Sequence, residues 1–579
     1  MSDPRPSSSP AMSIAQANRV LLAEPRFELT RRAPSSSQLG EWKSGPKTIA
    51  DVLAIQRDHG DREFLVYEDE RCTYSGAVNA SETIAVMLVD AGLKQGDRVA
   101  LVMRNRLEWP VCFFGAILAG GVVVPVNGWS LPDEMRAMIE DCGARFLFSD
   151  RADVDPPSNI ERTWAPGVGV LRSVIGEPTS WSVLPKPTIR FATPAPDDLA
   201  ALFYTSGTTS RPKGATMTHR ALTATIMNSE FNAARVRLRY PTSAPPHPVV
   251  ASKPAALFPV PLFHVTGAIP GLIGSSAQGA KIVFMRKWDV EEALRLIEQE
   301  RINLLGGVPT MALQLLADPR CDNYDLSSLS GLIYGGAPAP SRLPRAIAER
   351  FHAEASTGWG MTETASTLLH NSGPEYSLRP MSCGVAVPVN EARVSNESGM
   401  ALPPGAIGEL QVRGLNVTRG YWNRPEENTM AFTVDNWFRT GDIAQIDNEG
   451  FVTIVDRAKD IIIRGGENIA CIEIEDVLCA HPAVVEAAVV GREHPTLGEE
   501  PAAFLTLALG MKPTDAELKD HAASKLARHK VPVQIIVSEE PLPRNAAGKV
   551  LKKELRDQLA NSRTKGTDSE LDANLGHPT

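Results

Sequence analysis

The chain has 579 residues, 43% hydrophobic and 22% charged, with a formal net charge of -9. This is the make-up of a soluble globular protein of more than one domain. It excludes a general nucleic-acid binder, which needs a basic excess to displace counterions from phosphates. The seven cysteines form no CxxC pair, so neither a zinc site nor a disulfide framework is expected, and reduced thiols in the cytoplasm are the plain reading.

In chain order, the start MSDPRPSSSP lacks the apolar core of a signal peptide. Residues 1–40 are expected to be disordered or extended. From Asp97, short apolar runs alternate with helix-like stretches: RVALVM (98–103), a helix over 110–119, GVVVPV (121–126), a helix over 131–140 and a strand over 145–148. Such alternation predicts βαβ units and a parallel sheet covered on both faces. The five prolines of YPTSAPPHPVVASKP (240–254) predict a surface loop.

EEALRLIEQE (291–300) has helical period, and strands over 302–305 and 332–334 run into the glycine turns GGVPT and GGAPAP. Between 385 and 455 the pattern changes to alternation, as in GELQVR (408–413) and GFVTIV (450–455), predicting an antiparallel, barrel-like or meandering part. After Asp460 comes a smaller α+β unit, with helices over 471–479 and 516–526 and strands over 484–490 and 502–507. The polar segment 561–579 is expected to be a disordered tail. No run approaches the ~18 apolar residues of a membrane span.

The stretch YTSGTTSRPKG (204–214) gathers small hydroxyl donors, two glycines and two cations. Glycines let a backbone approach an anion, and successive N–H groups can cradle it. The spacing is neither G-x-x-x-x-G-K-[ST] nor G-x-G-x-x-G, so a phosphate cradle of another kind and a plain polar loop both stay open on this stretch alone.

Further stretches follow in order: PLFHVTG (261–267), GGAP (335–338), STGWGMTET (356–364), FRTGD (438–442), DRAKDIIIRGGENI (456–469) and PRNAAGKV (543–550). Together with the loop, this set resembles the signature of the ANL adenylating enzymes over roughly residues 50–555. The resemblance implies an α/β protein: a large N-terminal domain with parallel α/β subdomains and a barrel-like part (41–457), and a small mobile α+β C-terminal domain (458–560). It implies a reaction in which a carboxylic acid and ATP form an acyl-adenylate with loss of pyrophosphate, and a thiol, usually that of coenzyme A, then displaces AMP.

The same resemblance implies the site. Thr205, Ser206, Gly207, Thr208, Thr209 and Lys213 would hold the departing phosphates, with Gly335, Gly336, Ala337 and Gly360 lining the nucleotide. Trp359 stands where an aromatic, more commonly tyrosine, stacks on adenine. Thr362 would donate to the α-phosphate, Glu363 would bind Mg²⁺, Asp442 would take the ribose hydroxyls, and Arg457 would add a ribose or phosphate contact. Lys459 falls at the hinge, Gly465, Gly466 and Glu467 at the pantetheine tunnel, and Lys549 at the catalytic lysine.

His264 stands near where amino-acid-activating members carry an aspartate, which makes amino acids poor substrates. Phe231, His264, Gly307 and Met361 are the expected acyl-pocket residues. With no cation in the segments around them, an uncharged tail is expected: a medium- or long-chain fatty acid, with an aryl acid as the alternative. A carrier-protein ligase and a catalytically dead nucleotide-binding regulator are the rivals; intact Glu363, Asp442, Arg457 and Lys549 speak against the second. ATP, Mg²⁺ and coenzyme A are the implied cofactors and co-substrates, and the expected compartment is the cytoplasm. A homodimer and a peripheral membrane contact are both compatible with such an enzyme.

Overall fold

A computed structural model describes residues 9–30, 39–154, 156–164, 172, 175–184, 191, 193–205, 212–241, 254–538, 540–546 and 548–561. Two sheets carry the large domain. In the six-stranded one the order is Arg162–Trp164, Phe146–Ser149, Arg98–Val102, Val122–Val126, Leu199–Thr205, Lys213–Thr218, parallel except for the last pair. VVVPV at 122–126 is buried at every position, as expected for a strand with both faces covered.

The nine-stranded sheet runs Val385–Ala386, Ser366–Ser372, Glu354–Met361, Gly331–Gly335, Leu304–Gly307, Ala255–Phe258, Lys281–Phe284, Glu63–Tyr67, Glu70–Thr73. The Leu304–Gly307 strand continues through the two glycines that the sequence placed in a turn, because Gly306 and Gly307 still pair with Ile333 and Tyr334. Helices Tyr74–Asp90, Glu108–Leu118 and His219–Arg239 contribute to a core shared by the two sheets, with Trp109, Phe113 and Phe114 fully buried. EWPVCFFGAIL, almost purely apolar after its first residue, can be buried all round for that reason.

The stretch from 385 to 455 contains a four-stranded antiparallel meander: Asn390–Ser395, Ile407–Gly414, Phe438–Ile446 and Val452–Arg457. Beyond it a small sheet of Glu467–Ile469, Ile462–Arg464, Gly498–Leu507, Val484–His494 and Gln534–Val537 packs on helices Cys471–Cys479 and Asp515–Ala523. This unit docks on the large domain through polar contacts. Asp476 accepts from the Ser341 backbone N–H at 2.7 Å and its hydroxyl at 3.1 Å, Arg342 donates to the Val484 carbonyl, and Glu486 takes both Thr310 and Arg544.

One expectation is corrected. Within residues 1–40, Ile14–Leu22 form a helix with a Ser13/Gln16 capping box. Its buried Leu21, with Phe27 and Trp42, packs on Met227 and Phe231 of the long helix His219–Arg239. The polar composition of residues 1–12 masks the i, i+3, i+7 stripe of Ile14, Ala17 and Leu21 that follows it. Most of the proline-rich loop, 242–253, and the segment 562–579 lie outside the described residues. Among the described residues all seven cysteines are free thiols, and no helix is long and apolar enough to cross a membrane.

Candidate active site

Ile333 lies in the middle of the nine-stranded sheet yet is 45% exposed, so a cleft opens over that face. Gly306 and Ser356 are its in-register neighbours, and Ser372 and His370 stand opposite Ser356 and Gly358 on the next strand. Around Ile333 the floor is therefore small at Gly306, Ser356 and Gly358. Gly306 is small by necessity, because a Cβ there would meet the Phe258 ring at 2.1 Å.

At the carboxyl ends of the strands the polar groups converge. Thr205 and Lys213 are the last pair of an antiparallel two-strand ladder before the chain between them; Ser206, Gly207, Thr208 and Thr209 in that stretch lie outside the described residues. The Lys213 ammonium stands 5.3 Å from the centre of the Tyr421 ring. The Tyr421 hydroxyl donates to Glu363 at 2.6 Å. Burial pushes the Glu363 carboxyl above its ordinary range, while Tyr421, Arg457 and Lys213 pull it back.

Thr362 and Glu363 begin a short turn that ends in two residues of positive φ, Ala365 and Ser366. Non-glycine residues resist that conformation. It is held by the Thr364 hydroxyl, which donates to the Ser366 carbonyl at 2.7 Å, and by Asn416, which donates to the Thr364 carbonyl at 2.7 Å. Gly335 ends the neighbouring strand opposite Gly358, two residues before Gly360, and Gly336 and Ala337 follow it.

Trp359 is buried against the meander and its indole N–H donates to Asp442 at 2.7 Å. Asp442 pairs in register with Arg457, whose guanidinium is 3.4 Å from its other oxygen. Directly after Arg457 the chain turns, with Asp460 and Ile461 donating back to the Arg457 carbonyl. Lys459 lies within that turn, and burial, with Arg457 nearby, lowers its ammonium pKa.

Lys549 reaches this cluster from the small domain. Arg544 and Val550 bridge the base of a tight hairpin, and Asn545 accepts from the Lys549 backbone N–H at 3.0 Å. Burial, aided by Arg457 and Lys459 against Asp442 and Asp460, brings the Lys549 ammonium down to about 8. Burial and the Lys549 charge together lower His264 to about 4, so its imidazole is neutral near pH 7. The tip of the 543–550 segment thus reaches the large domain's polar groups.

Other expected residues stand elsewhere. Gly465 and Gly466 form a two-residue turn with positive φ at both positions, conformations that suit glycine. A Cβ on Gly466 would touch nothing within 4 Å, so this tip and the exposed Glu467 face open space. Phe231 is not on the floor: it is fully buried against Phe27 and Trp42, 5.3 and 5.2 Å between ring centres. Gly307 turns towards Met311, and Gly306, one residue earlier, supplies the floor. Met361 packs with the Trp359 cluster on the meander side. The sequence reading missed Tyr421, although it sits in the GYWNRPE turn.

The structure thus joins a large α/β domain to a small one, with Lys549 of the small domain within electrostatic range of Asp442 and Arg457 and with Glu363 buried nearby against Tyr421. The sequence matches the AMP-binding enzyme model over residues 54–422 and the AMP-binding enzyme C-terminal domain model over 473–549. The chain belongs to this family and is an AMP-forming acid–thiol ligase in kind. It is 35% identical to a feruloyl-CoA synthase from Amycolatopsis sp, covering 84% of this chain and 93% of the relative. It is 32% identical to the long-chain-fatty-acid–CoA ligase FadD13 of Mycobacterium tuberculosis, covering 85% and 94%. Among solved structures it is similar to o-succinylbenzoate CoA synthetase from Bacillus subtilis with its acyl-adenylate intermediate. There the identity is 31% and the TM-score 0.70, with 87% of this chain and 97% of that one covered.

Proposed function

We propose that this protein joins a carboxylic acid to coenzyme A in two steps, first forming an acyl-adenylate from ATP and then exchanging AMP for the thiol. The observation that carries this reading is the docking of the Lys549 hairpin on the large domain, where a Cβ on Gly548 would meet Val308 at 3.0 Å, which brings the buried Lys549 charge within range of His264, Asp442 and Arg457. A carboxylate is a poor acyl donor, and bonding it to the α-phosphate gathers negative charge where an ammonium can stabilise it. Thr362 donates to the same phosphate, and Asp442 offers acceptor oxygens to the ribose diol. Lys213 and the 205–209 segment receive the departing pyrophosphate.

Glu363 fits a magnesium ion. It is a nearly buried carboxylate with one oxygen committed to Tyr421, and among the described residues no cluster of three metal-ligating side chains surrounds it. Magnesium suits such a site, because it keeps its waters and takes substrate phosphates alongside one or two carboxylates. When bound, it would neutralise phosphate charge.

The domain division proposed is 41–457 and 458–560, with Lys459 at the hinge. In the second step Gly465, Gly466 and Glu467, now facing open space, would turn inwards to line the thiol's path. The acid tail lies over the floor of Gly306, Ile333, Ser356 and Gly358. A medium- or long-chain fatty acid and an aryl acid are the two readings that floor admits, because its small residues leave room for either. Acid-dependent exchange of pyrophosphate into ATP, across a broad acid panel, tests the function. Exchange with thioester and AMP on adding coenzyme A is expected; no exchange with any acid would contradict it.

A further inference from the structure

The long helix His219–Arg239 presents two faces. Met227 and Phe231 lie under the N-terminal segment. Asn228, Asn232 and Arg235, spaced at i, i+4 and i+7, form an adjoining polar stripe, bounded by Trp42 and the Phe231 ring on the side of the N-terminal segment. Asn232 donates to the Ser372 hydroxyl at 3.1 Å. Ser372 shares a strand face with His370, opposite Ser356 and Gly358, so this helix face closes one end of the substrate floor.

That end is rich in uncommitted donors. Arg235 is fully buried; its terminal nitrogens meet the Ala386 carbonyl at 3.1 Å and the Asn232 side-chain oxygen at 2.8 Å, and its Nε has no partner. Among the described residues no carboxylate forms an ion pair with it, since the nearby Glu375 is paired with Arg239 at 2.7 Å. Asn228 accepts from the Trp42 indole at 2.9 Å, which leaves its Nδ2 unpaired. His370 Nε2 also has no partner. Burial, with the Arg235 charge adding, drives His370 down to about 3, so it is neutral. The Arg235 guanidinium also lies over the Phe231 ring, 6.0 Å from its centre; even so, a buried guanidinium with one N–H unpaired and no carboxylate of its own, beside a buried amide NH2 without an acceptor, is costly to maintain unless something completes it.

We infer that Asn228, Arg235 and His370 form an oxygen-recognising wall at the far end of the acid pocket, and that the acid carries an acceptor oxygen (carboxylate or hydroxyl) distal to its reacting carboxylate. This rests on the ligase reading and narrows its substrate class. It departs from the uncharged tail expected from sequence, because Arg235 lies outside the segments then taken to line the pocket.

The test measures kcat/KM for matched acids with ATP and coenzyme A: hexanoate, adipate and the ω-hydroxy acid of equal length, then cinnamate beside para-hydroxycinnamate. At least one oxygenated acid should exceed its plain partner by about tenfold or more, since a site built to bond an oxygen rejects the analogue lacking it. Arg235→Met should collapse that ratio towards one, and Asn228→Leu should lower it in the same direction and decides the matter if the first variant does not fold. Plain acids preferred by the wild type, or ratios unchanged in the variants, would overturn the inference. The arms separate carboxylate from hydroxyl recognition, and no turnover with any acid would contradict the ligase reading itself.

Discussion

The Trp359 indole N–H donates to Asp442 at 2.7 Å while Arg457 approaches the other carboxylate oxygen at 3.4 Å. The carboxylate plane is thereby held from two sides, and its remaining lone pairs stay available to the ribose diol proposed for it. Trp359→Phe keeps an aromatic surface and deletes the donor. A hydrogen bond to a charged group is worth about 1.5 kcal/mol or more, so KM for ATP should rise about tenfold in pyrophosphate exchange, with a smaller change in kcat.

Tyr421 acts through Glu363. Its 2.6 Å hydrogen bond favours the ionised carboxylate, against burial that favours the neutral acid. Tyr421→Phe removes the first effect and raises the Glu363 pKa further. As pH falls, the variant should lose exchange activity at a higher pH than the wild type, and it should need several-fold more Mg²⁺ at neutral pH. Magnesium titrations at two pH values measure both.

Lys549 sets the other limb. Its ammonium, brought down to about 8 by burial and by Arg457, is charged below that pH and neutral above it. In the proposed reaction only the charged form would stabilise the phosphate oxygens, so exchange in the wild type should decline as pH rises through about 8. Lys549→Arg, which stays protonated, should lack that alkaline decline even where its overall rate is lower.

The docked arrangement of the two domains depends on a few buried or half-buried polar contacts. Asp476 takes two bonds from Ser341, and Glu486 bridges Thr310 and Arg544. Asp476→Asn and Glu486→Gln weaken the charge-assisted bonds without touching the reacting groups. Each should slow adenylate formation about threefold to tenfold and leave thioester formation from a supplied adenylate close to wild type.

Much of this architecture is legible from residues near one another in the chain. Helix Cys471–Cys479 falls where the period placed it, and strand Val122–Val126 within one residue, because apolar spacing is a local property. Thr362, Glu363, Asp442, Arg457 and Lys549, the polar residues proposed for the site, each stand in a short local motif. What escaped depends on distant partners. Tyr421 meets Glu363 across 58 positions, and Asn232 meets Ser372 across 140. Arg235 reads as one more cation on a helix that also carries Arg237 and Arg239; only the fold shows it to be buried over a strand it was never near in sequence. Phe231 is an expected pocket residue in sequence, but a turn of about 100° per residue along the helix decides which way a side chain faces, and it faces Phe27 and Trp42.

The central claim is that the lysine at the tip of the small domain belongs to the first half-reaction alone. Lys549→Ala, assayed separately for pyrophosphate exchange and for thioester formation from pre-made acyl-adenylate, tests it most directly. The account predicts exchange lowered by at least a hundredfold with thioester formation within a few-fold of wild type. Equal loss of both activities, or exchange left intact, would contradict it.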